Sequence, residues 1–238
     1  MPNDNLLAPG QMGVTVLNGV GTIRVFSATA TSIELCILKH DDTRTVEHSV
    51  QLTKGENDVW EGSHHALNVG SKYAIRADGP DEPRNSFNNS LFLIDPYAKA
   101  VVRDSAREYH CVVVEDQFDW QSVTKPNIPL DELVIYEAHA RGLTRGNKDL
   151  PDDLRGTYAA LGHESTINHL KKIGVNAVEL LPIQILISEP HLLKNGLINY
   201  WGYNTINFFM PHHRYATTAA IQAGPEAIIN ELKTAIRE

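Results

Sequence analysis

The hydrophobic pattern of this 238-residue chain changes its period near residue 130, which limits the folds that the chain can adopt. Before that point, short segments alternate apolar and polar residues, and Gly, Asn and Asp separate them. The clearest segments are 22–26 (TIRVF) and 32–38 (SIELCIL). Their apolar face consists of Ile23, Val25, Ile33, Leu35 and Ile37. Short, regularly punctuated strands are typical of an antiparallel, immunoglobulin-like β-sandwich.

After residue 133 the pattern is that of strands alternating with helices. Apolar strands are predicted at 133–139 (LVIYEAH) and 175–182 (VNAVELLP), with a helix at 165–173 between them. Ser165 is the expected N-cap of that helix, and Gly174 is the residue expected just after its end. Both strands are apolar nearly throughout, as is usual when helices cover both faces of a parallel sheet.

Three regions follow from these patterns. Residues 1–98 are predicted to form the β-sandwich, and residues 133–238 the beginning of a parallel α/β array. A further helix is expected near the C-terminus, with Pro225 in its first turn. Residues 99–132 are predicted to be a linker, because prolines near its end keep the chain extended.

Charge and composition exclude several classes of protein. The net charge is −8 and no run of basic residues occurs, which argues against nucleic-acid binding. The longest apolar run is far shorter than the roughly 20 residues that cross a bilayer. The two cysteines, Cys36 and Cys111, form no disulfide framework or zinc motif. The N-terminal residues lack a signal-peptide pattern, so we expect a cytoplasmic protein without a membrane partner.

The stretch 199–216 (NYWGYNTINFFMPHHRYA) contains six of the chain's 17 aromatic residues and no acidic residue. Phe208 and Phe209 fit a buried strand. The rings with polar tips lie instead among Asn, Gly and Pro in a pattern typical of a loop: Tyr200, Trp201, Tyr203 and Tyr215. Such rings suit surfaces that are apolar on one face and hydrogen-bonding at the edge, as sugars require. Trp60 is a second candidate for stacking, although packing between sheets is the favoured interpretation.

Other catalytic motifs give little support for an active site. The adjacent pairs His64–His65 and His212–His213 do not have the spacing of metal ligands, so we expect no metal and no cofactor. Glu137 and Glu179 lie inside the predicted strands. We expect each to pair with donors within the sheet rather than to act in catalysis, because buried charges need partners.

Several long segments resemble the glycogen debranching and isoamylase branch of the α-amylase superfamily. In the second half these are 134–144 (VIYEAHARGLT), 154–183 and 191–216, which resemble the first part of the catalytic barrel. In the first half, 73–80 (YAIRADGP) and 87–101 (FNNSLFLIDPYAKAV) resemble the end of the β-sandwich that precedes it. The resemblance covers nearly the whole chain. It implies a β-sandwich followed by the first part of a (β/α)8 barrel, incomplete in this chain.

The resemblance also implies roles for individual residues. Tyr136 to His139 would belong to barrel strand 1, and AVELLP to strand 2. Tyr203 would stack under the glucose at the cleavage subsite, with Trp201 and Asn204 beside it in the substrate-binding loop. Phe208 and Phe209 would return into the core.

The implied activity is retaining hydrolysis of α-1,6 branch linkages in glycogen or limit dextrin. A retaining enzyme needs two carboxylates about 5–5.5 Å apart. In the family these lie on later barrel strands, so no catalytic residue is expected before residue 238. Two alternatives stay open. One is a non-catalytic glucan-binding or partner-binding module. The other is a branching or trehalose-releasing relative. Those relatives usually have Gly-Tyr-Gln or Gly-Tyr-Asp where this chain has Gly-Tyr-Asn at 202–204, and the loop that contains it resembles that of debranching enzymes.

Overall fold

The computed structural model describes residues 12–83, 86–104, 108–115 and 117–238. The chain divides into two compact units, Met1–Glu115 and Asp116–Glu238. We call the first the sandwich unit and the second the α/β unit. Among the residues that the structure describes, no helix has the length and apolar content needed to cross a bilayer.

The sandwich unit contains two antiparallel sheets. The first sheet has four strands, in the spatial order β1-β2-β6-β5: β1 (Gly13–Leu17), β2 (Val20–Phe26), β5 (Thr53–Lys54) and β6 (Val59–His64). The second has five strands, in the order β4-β3-β7-β9-β8: β3 (Ser32–Leu38), β4 (Val46–Gln51), β7 (Lys72–Asp78), β8 (Val101–Arg103) and β9 (Tyr109–Val112). This arrangement confirms the antiparallel β-sheets predicted for the first half of the chain.

The core of the sandwich unit contains the apolar face that the sequence predicts. The five side chains of that face are each at most 3% exposed: Ile23, Val25, Ile33, Leu35 and Ile37. Trp60 on β6 is also buried, and its indole N–H donates to the carbonyl oxygen of Ser27 at 2.9 Å. The ammonium of Lys54 lies 5.7 Å from the indole centroid. Trp60 therefore packs within the unit, as favoured above, and presents no open face to a sugar.

The predicted linker, 99–132, includes two strands in the structure. β9 pairs with β7 and β8, so the chain up to Val112 belongs to the five-stranded sheet. Beyond it, the Val113 N–H donates to the carbonyl oxygen of Ser71 at 3.0 Å. Strands of three and four residues are too short to show a reliable alternation, and their pairing with distant strands is not visible locally.

A buried carboxyl group lies in the core of the sandwich unit. Asp95 is fully buried; its Oδ2 accepts from the Tyr73 hydroxyl at 2.8 Å, and its Oδ1 accepts from the Tyr97 N–H at 2.9 Å. The Asp95 N–H lies 3.3 Å from the Cys111 sulfur. Burial raises the pKa of the Asp95 carboxyl from 3.8 to about 6, although both hydrogen bonds oppose the shift. Burial is the largest contribution to this shift, because the charged carboxylate loses its hydration in the core.

This raised pKa makes the stability of the sandwich unit pH-dependent. The folded state holds the Asp95 proton more tightly than the unfolded state does. The stabilisation is therefore complete below pH 4 and is lost as the pH rises through about 6. The full shift corresponds to about 3 kcal/mol of unfolding free energy. We expect Asp95→Asn to remove most of this pH dependence. The test is the free energy of unfolding in urea, measured for the wild-type protein and the variant between pH 4 and 7.5. Parallel profiles for the two proteins would contradict it.

The α/β unit contains one parallel strand pair and six α-helices among its described residues. The strands are β10 (Ile135–Ala138) and β11 (Ala177–Leu180), paired in parallel. The helices are α1 (Ala140–Arg145), α2 (Tyr158–Leu161), α3 (Glu164–Lys172), α4 (Pro190–Lys194), α5 (Thr218–Ala223) and α6 (Pro225–Arg237). Because α1 to α3 connect the two strands, this part of the chain is a strand–helix–strand crossover, as predicted.

The ends of the helices follow the predicted signals in part. α6 begins with Pro225, and Gly174 adopts φ +82° just beyond α3, as expected. The N-cap of α3 is His163 rather than Ser165. The His163 Nδ1 accepts from the Ser165 N–H at 3.2 Å, so a ring nitrogen replaces the expected hydroxyl.

Both strands of the α/β unit are more exposed than their sequences predict. Ile135 is 57% exposed and Val178 42%, because β10 and β11 pair only with each other among the described residues. Glu137 and Glu179 are register partners and both are exposed. Neither carboxylate makes a hydrogen bond or ion pair within the described part of the chain, so the expectation that they pair with donors in the sheet is wrong.

Candidate functional site

The aromatic stretch follows β11 and folds back on the segment just before it. Residues 183–187 run antiparallel to residues 204–212. The Ile185 N–H donates to Met210 O at 2.8 Å, and the Ile206 N–H donates to Ile185 O at 3.0 Å. This backbone pairing closes a large loop that contains α4. We call residues 199–204 the aromatic loop.

Asn199 holds the beginning of the aromatic loop. Its side-chain oxygen accepts from the Gly202 N–H at 2.8 Å, and its side-chain nitrogen donates to the Glu189 carboxylate at 3.0 and 3.2 Å. Gly202 adopts φ +92°, and a Cβ there would lie 2.8 Å from the carbonyl oxygen of Pro182. Only glycine satisfies both conditions, so this position sets the turn that separates Trp201 from Tyr203.

A histidine at the end of β10 contacts the same loop. The ring nitrogen Nε2 of His139 lies 2.8 Å from the carbonyl oxygen of Tyr200. The imidazole stacks on the Tyr200 ring, with centroids 4.1 Å apart and an interplanar angle of 8°. Tyr215 packs edge-on against the same imidazole at 5.4 Å.

The three predicted substrate-binding residues lie close together on this loop and differ in their exposure to solvent: Trp201, Tyr203 and Asn204. Tyr203 is 71% exposed and Trp201 is 59% exposed, so both rings are open to solvent. Trp201 meets the Tyr200 ring edge-on, with centroids 5.5 Å apart. Asn204 is half-buried, and its carbonyl oxygen accepts from the Ile187 N–H at 3.1 Å. The arrangement presents aromatic surface with polar edges on a hydrogen-bonded support.

Phe208 and Phe209 do not return into the core, contrary to the prediction. They are 70% and 49% exposed. Asn207 takes the inward position instead: it is 2% exposed, and its side-chain oxygen accepts from the N–H groups of Phe209 and Met210, both at 2.9 Å. A short amide that satisfies two backbone donors forms a tight local turn, which directs both phenyl rings outward.

Tyr215 belongs to the support rather than to the exposed surface. It is 4% exposed and lies edge-on to Tyr158, which is fully buried. The Tyr158 hydroxyl lies 3.0 Å from the carbonyl oxygens of both Ile183 and His212. Burial, together with the neighbouring His213 and Arg214, lowers the pKa of His212 to about 3, so its imidazole is neutral. This layer of buried polar rings could not be predicted from local sequence, because Tyr158 lies far along the chain from His212 and Tyr215.

The histidine pairs do not assemble a metal centre in the described ranges. No three His, Cys, Asp or Glu side chains there are grouped to hold a metal ion. The His64 and His65 rings stack at 4.4 Å, and His48 lies 5.0 Å from His64. Adjacent histidines can thus face each other where a strand ends.

Comparison with known proteins gives one family match and many relatives. Residues 11–98 match the family described as carbohydrate-binding module 48 (isoamylase N-terminal domain). The chain is 39% identical to the glycogen debranching enzyme of Yersinia enterocolitica, covering 97% of this chain and 37% of that protein. It is also 39% identical to the glycogen debranching enzyme of Pectobacterium atrosepticum, covering 92% and 35%. The chain thus spans little more than a third of the length of the curated relatives it matches.

Solved structures of similar fold include pullulanases. The pullulanase from Bacillus acidopullulyticus superposes with a TM-score of 0.73 at 23% identity, covering 100% of this chain and 29% of that chain. The pullulanase from Anoxybacillus sp. LM18-11, complexed with maltotetraose, superposes with a TM-score of 0.67 at 25% identity, covering 98% and 33%.

Proposed function

We propose that this chain is the N-terminal part of a glycosidase acting on α-1,6 branch linkages. In support, residues 11–98 match carbohydrate-binding module 48, and nearly the whole chain is similar to glycogen debranching enzymes. The proposed substrate is glycogen or limit dextrin, and the proposed compartment is therefore the cytoplasm. The observation that carries the proposal is the exposed Tyr203 ring on a supported loop, in a chain with these relatives.

Within this proposal, the strand pair β10–β11 is the beginning of a (β/α)8 barrel, and residues 133–238 are its first part. Residues 1–98 are the sandwich that precedes it. Tyr203 stacks on the apolar face of a glucose unit, while Trp201 and Asn204 line the same subsite. Stacking suits an α-glucan because each pyranose presents a C–H face to the ring and hydroxyl groups at its edge.

The aromatic loop binds and orients sugar but supplies no reacting group. A retaining mechanism requires two carboxylates about 5–5.5 Å apart, one acting as nucleophile and the other as general acid. Glu189, the acidic residue bonded to this loop, is engaged by Asn199 and serves to hold the loop. By the resemblance stated above, the catalytic carboxylates lie outside these residues.

The 238-residue chain alone is therefore expected to release no reducing ends from limit dextrin, whereas the complete gene product releases them. The assay compares both forms at equal molarity, with linear maltotetraose as the unbranched control. Release by the 238-residue chain would contradict the prediction, and Glu137 and Glu179 would then have to be tested as catalytic residues. If the complete product binds maltotetraose but hydrolyses nothing, the alternative of a non-catalytic glucan-binding module is the correct one.

A further inference from the structure

We propose that His139 is a positioning residue that holds the aromatic loop in its binding conformation through the carbonyl group of Tyr200. This inference rests on the proposed function for the role of the loop. It concerns a buried residue that lies just after β10, far from the loop in sequence.

The hydrogen bonds of His139 determine which ring nitrogen carries the proton. Nδ1 accepts from the N–H groups of Arg141 and Gly142, at 3.0 and 3.1 Å, and so caps α1. A nitrogen that accepts two N–H donors carries no proton of its own. In the neutral ring the proton is then on Nε2, which donates to the Tyr200 carbonyl oxygen at 2.8 Å. The Tyr215 hydroxyl lies 3.4 Å from Nε2, too far to compete with this bond.

One imidazole therefore connects the start of α1 to the aromatic loop. The two residues that it joins, His139 and Tyr200, are 61 positions apart in the sequence. The ring is 9% exposed, so its hydrogen bonds are shielded from water. The parallel stack on Tyr200 adds a second contact to the same residue. The small residue at Gly142 permits this approach, since a Cβ there would lie 3.0 Å from the Tyr200 hydroxyl oxygen.

Fixing Tyr200 in this way also fixes its neighbours. Trp201 packs edge-on against the Tyr200 ring, and Gly202 donates to Asn199 on the other side of the turn. Tyr203 is largely exposed, so contacts of its own ring do little to order it. Its orientation depends on the backbone of the loop, which is held by Asn199 at one point and by His139 at another. Ordering the loop before sugar binds reduces the entropy lost on binding.

Two substitutions separate the two hydrogen bonds of His139. Asparagine places its side-chain oxygen near the Nδ1 position, so His139→Asn keeps an N-cap acceptor but loses the donor to Tyr200. Glutamine places its side-chain nitrogen near the Nε2 position, so His139→Gln keeps the donor and loses the cap. His163→Asn is the matched control, because His163 caps α3 through its Nδ1 in the same unit.

The experiment uses the complete gene product and two measurements. Hydrogen exchange of the amides in 199–204 reports loop order without any sugar, and maltotetraose titration reports affinity. We expect His139→Asn to lose the protection of the Gly202 N–H and to weaken maltotetraose binding about tenfold. His139→Gln should retain most of both although its melting temperature falls. His163→Asn should change neither loop protection nor affinity.

Unchanged loop protection in His139→Asn would overturn the inference. The inference would also be overturned if both variants lost loop protection and affinity to an extent that follows the fall in their melting temperatures. His139 would then act only on stability. If His139→Asn alone loses loop protection while the wild-type protein has no affinity for maltotetraose, the positioning role of His139 is supported and the proposed function fails.

Discussion

Replacing Tyr203 with alanine is expected to lower glucan turnover in the complete gene product roughly 5- to 150-fold, with little effect on folding stability. A ring stacked on a sugar is expected to contribute about 1–3 kcal/mol, by analogy with other stacking platforms. The ring is 71% exposed in the structure, so its removal leaves no large cavity in the core. An effect on binding that greatly exceeds the effect on unfolding identifies a contact with substrate rather than a packing contact.

Phe208→Ala is the matched control for this prediction. Phe208 belongs to the same aromatic stretch and is 70% exposed, so both substitutions remove similar exposed surface. Tyr203→Phe keeps the stacking face and should retain most of the activity. Kinetics on limit dextrin and thermal unfolding are measured for all three variants. Unchanged kinetics with a lowered melting temperature in Tyr203→Ala would make Tyr203 a packing residue.

Brief proteolysis of the 238-residue chain is expected to leave the sandwich unit intact and to degrade the α/β unit. The sequence predicts a stable piece that ends between about residues 98 and 132. The structure narrows this range to positions after Val113, because β9 and Val113 are hydrogen-bonded to the sandwich unit. Residues 119–127 are all exposed and offer the first accessible cleavage sites.

The physical reason is that the two units differ in how completely their sheets are covered. The sandwich unit has a closed core between two sheets, whereas β10 and β11 form a two-stranded sheet with exposed Ile135 and Val178. Backbone groups at open strand edges and uncovered apolar side chains favour local opening and association.

Thermolysin digestion followed by mass spectrometry identifies the surviving piece. Leu35→Ala is the control: Leu35 is fully buried, and the substitution should lower the stability of the sandwich unit by about 2–5 kcal/mol and remove its resistance. A wild-type chain that resists digestion throughout and unfolds in one cooperative step would contradict the prediction and would favour a self-contained module.

Where a feature depends on local chemistry, the sequence predicted it well. The alternation in 22–26 and 32–38 identified the buried face of the sandwich, because side chains along a strand point to opposite sides in turn. Gly174 and Pro225 marked helix ends, because one tolerates positive φ and the other needs no N–H partner. The long motifs of the second half indicated relatives that the comparisons confirmed.

Where a feature depends on contacts between distant residues, only the tertiary structure decided it. Phe208 and Phe209 are as apolar as any core pair, yet Asn207 faces inward and both rings face solvent. The hydrogen bond from His139 to Tyr200 joins positions that no periodicity relates. A pattern along the chain specifies which residues are suited to burial or to a turn. Which of them meet depends on the packing of the whole unit, because the free energy of each contact includes ordering the chain between its partners.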